Sequence, residues 1–123
     1  MMQPPIFSVC AADAAVTAQL GTNPTRLWPF GEAPQDGVLP YAVWQIIPGG
    51  APENFLADRP DIDSFTLQVD VYANSDASVN DVTQALRDAI ERHAYIVRWG
   101  AQDTSPETGH RHISFDVDWM VHR

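Results

Sequence analysis

With 123 residues, 45% of them apolar and 19% charged, the chain can bury one core and is too short for two ordinary domains. Acidic residues outnumber basic ones 16 to 7, for a formal charge of −9, so the chain lacks the excess of cations that displaces counterions from nucleic-acid phosphates. Every basic residue counted there is an arginine, which excludes lysine Schiff-base and P-loop chemistry.

Pro4-Pro5 suits a helix start, because first-turn N–H groups have no intrahelical acceptor. Ile6, Val9, Cys10, Val16 and Leu20 then recur at helical spacing. Asp13 can cap a second helix within this run, which leaves either one bent helix or two. Gly21 and Pro24 end it. Arg26–Phe30 is a short strand, and Gly31–Pro40 a turn-rich connector. Tyr41–Ile47 is apolar on both parities, as in a strand covered on two faces or crossing an interface.

Ser64–Ala73 alternates, with Phe65, Leu67, Val69 and Val71 on one side. Asn74–Ser78 supplies capping side chains to a helix whose apolar stripe is Val79, Val82, Leu86, Ala89 and Ile90. On its outer side Arg87/Glu91 and Asp88/Arg92 stand four apart. Ala94–Gly100 reads as a strand and Gln102–Gly109 as a loop. His110–Val121 is the strongest strand, with Ile113, Phe115, Val117, Trp119 and Val121 on one face. The expected fold is therefore α+β in one domain, residues 1–123. It has a mainly antiparallel sheet of about five strands, two helices on one face and the order α-β-β-β-α-β-β.

Between the second and third strands runs PGGAPENFLADRPDID, Pro48–Asp63, far longer than a hairpin loop. Pro48, Pro52 and Pro60 stiffen it, and it presents apolar Phe55 and Leu56. A stiff loop with apolar anchors is built to touch something. Pro52, Glu53, Asn54, Phe55, Leu56, Arg59 and Pro60 are the candidate assembly interface.

That segment and its surroundings resemble the tail-completion (tail-terminator) family of tailed bacteriophages and prophages. The matching pieces are PPIFSVCAADAAVTAQLG, LWPFGEAP, LPYAVWQ, PENFLADRPDIDSFTLQVDVYA, VTQALRDAIE and ETGHRHISFDVDW, which span Pro4 to Trp119. Their order and spacing carry the resemblance. It implies a non-enzymatic virion component without cofactor, made in the host cytoplasm and carried in the virion tail. The expected partners are further copies in a ring, usually of six, the tail tube protein, and a head-completion or connector protein. In such a conduit an acidic chain would not hold passing DNA, so no stable nucleic-acid binding is expected. The competing readings are another neck or tube-like subunit, and a small α+β enzyme or ligand-binding dimer.

Chemistry-bearing residues weigh little against this. Cys10 is the lone cysteine and sits in an apolar run, as a buried small hydrophobe does. His110 and His112 share strand parity with Asp116 and Asp118, a pattern that could ligate metal but equally marks a polar sheet face. On that reading, losing either histidine should cost under ~0.5 kcal/mol. Asp58, Asp61 and Asp63 lack the spacing of a calcium hand and suit turn formation. Ser8, Ser64 and Ser114 fall inside structural patterns with no nucleophile motif. Trp119 has core parity, whereas Trp28, Trp44 and Trp99 could be core or interface. No basic leader followed by an apolar run, and no membrane-length apolar stretch, is visible.

Overall fold

The computed structural model describes residues 3–35, 37–48, 59 and 61–123. The first apolar run forms two helices, α1 (Ile6–Ala11) and α2 (Ala14–Leu20). Asp13 makes the break. It is extended, at φ −92° and ψ 127°, and its Oδ1 accepts from the N–H groups of Ala15 (2.9 Å) and Val16 (3.1 Å). Gly21 ends α2 at φ +77°, where any Cβ would also come within 2.8 Å of Arg26 Nη1.

The sheet contains β1 (Leu27–Pro29), β2 (Tyr41–Ile47), β3 (Ile62–Ala73), β4 (Tyr95–Thr104) and β5 (Arg111–His122), in the spatial order β1-β2-β3-β5-β4. The β1–β2 pair is parallel and the others are antiparallel. Because β5 runs opposite to both its neighbours, β3 and β4 are parallel. They are joined by α3 (Asp76–Ile90), which Ser75 caps through a hydrogen bond from Ser78 N–H. The α+β expectation holds, with three helices among the described residues because the first run divides into two.

Parity decides which face is covered. Leu67, Val69 and Val71 of β3 stand opposite Val117, Phe115 and Ile113 of β5, and all six are buried. Val79, Val82, Leu86, Ala89 and Ile90 of α3 join them in one cluster with Ile6, Cys10, Val16 and Leu20 of the two short helices. Ala42 and Trp44 extend the cluster into β2. The Trp44 indole N–H finds no acceptor among the described residues.

Two expectations need correction. Of the two readings of Tyr41–Ile47, coverage on both faces within one chain is not what is seen. Ala42 and Trp44 are buried on the helix side, while Tyr41, Val43 and Ile47 on the other side are half-buried. The fourth strand also runs on to Thr104 rather than stopping at Gly100. Two register irregularities, between Ile96 and Arg98 and between Trp99 and Gln102, break its alternation, so the polar end does not read as strand. Gly100 sits in the second irregularity, where a Cβ would be 3.0 Å from the Ser114 carbonyl oxygen.

Phe115 is fully buried at the middle of β5. Truncating it leaves a cavity that close-packed neighbours fill only in part. Phe115→Ala is expected to lower the unfolding free energy by about 3–5 kcal/mol in a denaturant melt, a large share of a small domain's stability.

Candidate functional site

Six of the seven residues assigned to an assembly interface, Pro52, Glu53, Asn54, Phe55, Leu56 and Pro60, lie outside the described residues. The seventh, Arg59, is exposed. The roots of the segment are described. β2 ends at Ile47, and β3 starts at Ile62 opposite His122 near the chain's end. Arg123 secures this corner, its N–H donating to the Asp61 carbonyl at 2.9 Å and its side chain pairing with Asp63 at 3.0 Å. Asp61 and Asp63 therefore serve a terminal clamp, while Asp58 is outside the described residues.

Exposed apolar side chains lie near the root end, on both faces of the sheet, and along the edge strand β4. Ile46 of β2 and Met120 of β5 are exposed there. On the edge strand β4, Tyr95, Val97 and Trp99 are 65%, 52% and 53% exposed. Scattered exposed apolar residues are ordinary, and here Tyr95 and Trp99 stand on opposite faces of an edge strand whose outer side has no partner strand among the described residues. The tryptophans divide accordingly: Trp44 and Trp119 are core, Trp28 is half-buried and Trp99 leans outward with its ring 5.5 Å from that of Phe115.

The sheet face opposite the helices is polar and ordered in cross-strand rows. One row crosses four strands, Tyr41–Tyr72–His112–Asp103. Tyr41 stacks on Tyr72 at 5.2 Å between ring centroids, and Tyr72 stacks on His112 at 4.7 Å. Burial pushes the Tyr72 hydroxyl above its ordinary value, with Asp70, Tyr41 and Asp103 adding to the shift. Further along, Arg98 pairs with Asp116 at 3.1 Å, and Thr66 donates to Asp118 at 2.8 Å.

The four residues weighed as metal ligands thus part company. His112 meets Asp70 and Asp103, not Asp116 and Asp118. His110 contributes its backbone to the β4–β5 loop, accepting from Ser105 N–H and donating to Thr108 Oγ1. Among the described residues, no group of three or more His, Cys, Asp or Glu side chains is placed to hold a metal ion. Cys10 is fully buried, and burial, with the charge of Asp13 adding, pushes its thiol up to about 12. It stays protonated and unreactive at neutral pH. On the outer side of α3, Arg87 reaches Glu91 at 3.6 Å as its spacing suggests, while Arg92 pairs with Asp13 rather than Asp88. No described helix is long and apolar enough to cross a membrane.

The histidines are therefore not equivalent, contrary to what their shared parity suggests. His112→Ala is expected to cost roughly 1–2 kcal/mol at mildly acidic pH, through lost carboxylate contacts and stacking on a partly screened face. His110→Ala should cost under ~0.5 kcal/mol in the same denaturant melts. Equal effects would show that the row contributes nothing.

Comparison with known proteins gives a fold likeness and a family. A chain in a solved structure described as "Virion of native gene transfer agent (GTA) particle" has the same fold. Its TM-score is 0.66 at 15% sequence identity, covering 96% of this chain and 92% of that one. No curated protein sequence matches. The family model described as Tail completion protein gp17 matches residues 4–122. The chain accordingly belongs to the tail completion protein gp17 family, a family of structural virion proteins and not of enzymes.

Proposed function

We propose that the protein caps the tail tube at its head-proximal end as a ring, ending tube elongation and offering the surface on which the head joins. The observation that carries this reading is the family match from residue 4 to residue 122. It takes in the helices, the strands and the segment between β2 and β3. A cap of this kind needs a contact between unlike surfaces of neighbouring copies that closes by rotation, here with six copies. It also needs one face for the tube protein and another for a head-completion or connector protein. Assembly takes place in the host cytoplasm, and the product remains in the virion tail.

The distribution of surfaces supports the reading. The segment holding Pro52, Glu53, Asn54, Phe55, Leu56, Arg59 and Pro60 leaves the sheet at the end where Ile46 and Met120 are exposed. The edge strand β4, separated from β3 by β5, carries exposed Tyr95, Val97 and Trp99. Apolar residues at interface centres supply most binding energy, so Phe55 and Leu56 are assigned to the contact between copies.

The test is sedimentation of the purified chain beside the double variant Phe55→Ser/Leu56→Ser. The wild type should sediment as a ring-sized particle and the variant as a folded monomer with an unchanged melt. Unfolding of the variant would place both side chains in the domain core. A wild type that stays monomeric at every concentration, alone or with tube protein, would contradict the ring.

A further inference from the structure

We infer that His112 is a proton-dependent clasp that ties β3, β5 and β4 together on the helix-free face of the sheet. Its two ring nitrogens face two carboxylates from two different strands. Nε2 lies 2.7 Å from Asp70 Oδ1 on β3, and Nδ1 lies 3.1 Å from Asp103 Oδ1 on β4. The His112 and Asp70 side chains are only 17% and 14% exposed, so water replaces little of the Nε2 contact.

Donor counting sets the protonation state. An ionised carboxylate only accepts hydrogen bonds, and a neutral imidazole has one N–H to give. Two simultaneous bonds to ionised carboxylates therefore require the imidazolium, which donates from both nitrogens. The remaining groups facing the ring agree with a cation. Tyr72 of β3 stacks on it at 4.7 Å and 20°, as a ring face attracts a positive charge, with Tyr41 of β2 stacked behind. Arg111, the neighbour on β5, points to the other face and pairs with Asp76 of α3 at 3.0 Å. The carboxylates lie against opposite nitrogens of one ring, so they do not converge on a common metal ion.

The consequence falls on β4. It is an edge strand with β5 as its one neighbour, and its register breaks between Trp99 and Gln102. Beyond that break Gln102–Thr104 returns to backbone pairing, and Asp103, its side chain 59% exposed, adds a contact to His112 at 3.1 Å. When the imidazolium loses a proton, one nitrogen turns a lone pair toward a carboxylate, and one of the two links becomes a repulsion. Loss of the proton therefore loosens the side-chain hold on the outer end of β4, where backbone pairing with β5 remains. The clasp is a property of the fold and does not depend on the ring reading.

Two measurements test it. Ring-nitrogen NMR of the wild-type chain, with His112 assigned by its absence in His112→Gln, should show both nitrogens protonated at about pH 5.5. A neutral single tautomer at that pH would overturn the clasp. Thermal melts of wild type, His112→Gln and Asp103→Asn should then be run from about pH 5.5 to 8.5. The gap in Tm between wild type and His112→Gln should be several degrees at the acid end and shrink to less than half by the alkaline end. Asp103→Asn can donate to a neutral ring, so its stability should depend less on pH than the wild type's. A gap that is flat with pH would also overturn the proposal.

Discussion

Everything in this molecule follows from burial on one side of a single sheet. β3 and β5 lie side by side over their full lengths, and their odd-numbered residues from Leu67 to Val71 and from Ile113 to Trp119 make the floor of the core. The even-numbered residues between them are Gln68, Asp70, Ser114, Asp116 and Asp118. A slip of one residue would exchange the two sets and bury the carboxylates, so the register is strongly specified. With the apolar set fixed, α3 has to lie on that side, and α1 and α2 pack against α3 from there.

The uncovered face is then left to hold itself together without hydrophobic burial. It does so through cross-strand pairs, the stacked Tyr41–Tyr72–His112 column and the Arg98–Asp116 and Thr66–Asp118 contacts. Each is modest alone, and each links strands that the core already aligns from the other side. This division leaves Tyr95, Val97 and Trp99 exposed on the edge strand β4. A virion component works through surfaces of that kind, not through an enclosed reaction site. Membership of a family of structural virion proteins agrees with a fold whose lone thiol is buried and protonated.

Much of this was legible in the chain, and for physical reasons. The stripe Val79, Val82, Leu86, Ala89 and Ile90 and the alternation in Ser64–Ala73 and His110–Val121 are direct images of burial on one side, and all became core elements. Asp13 and Ser75 announced helix starts because short polar side chains satisfy free N–H groups. What escaped depends on contacts between distant residues. Asp103 sits in a polar stretch that reads as loop, and only pairing with β5 makes it strand. The His112 contacts join residues 42 and 9 positions away, which no local period encodes. Parity placed His112 on the polar face beside Asp116 and Asp118 but could not show that its partners lie on the strands to either side. The proposed interface residues, Pro52–Leu56, Arg59 and Pro60, stand out by loop length and composition alone, and apart from exposed Arg59 they lie outside the described residues.

The capping role is tested most directly by polymerising the cognate tube protein with and without the purified chain and imaging the products by electron microscopy. The account predicts shorter tubes that each carry a ring at one end, with length falling as the ratio of cap to tube subunit rises. Tubes of unchanged length with bare ends, or decoration along their sides, would contradict it.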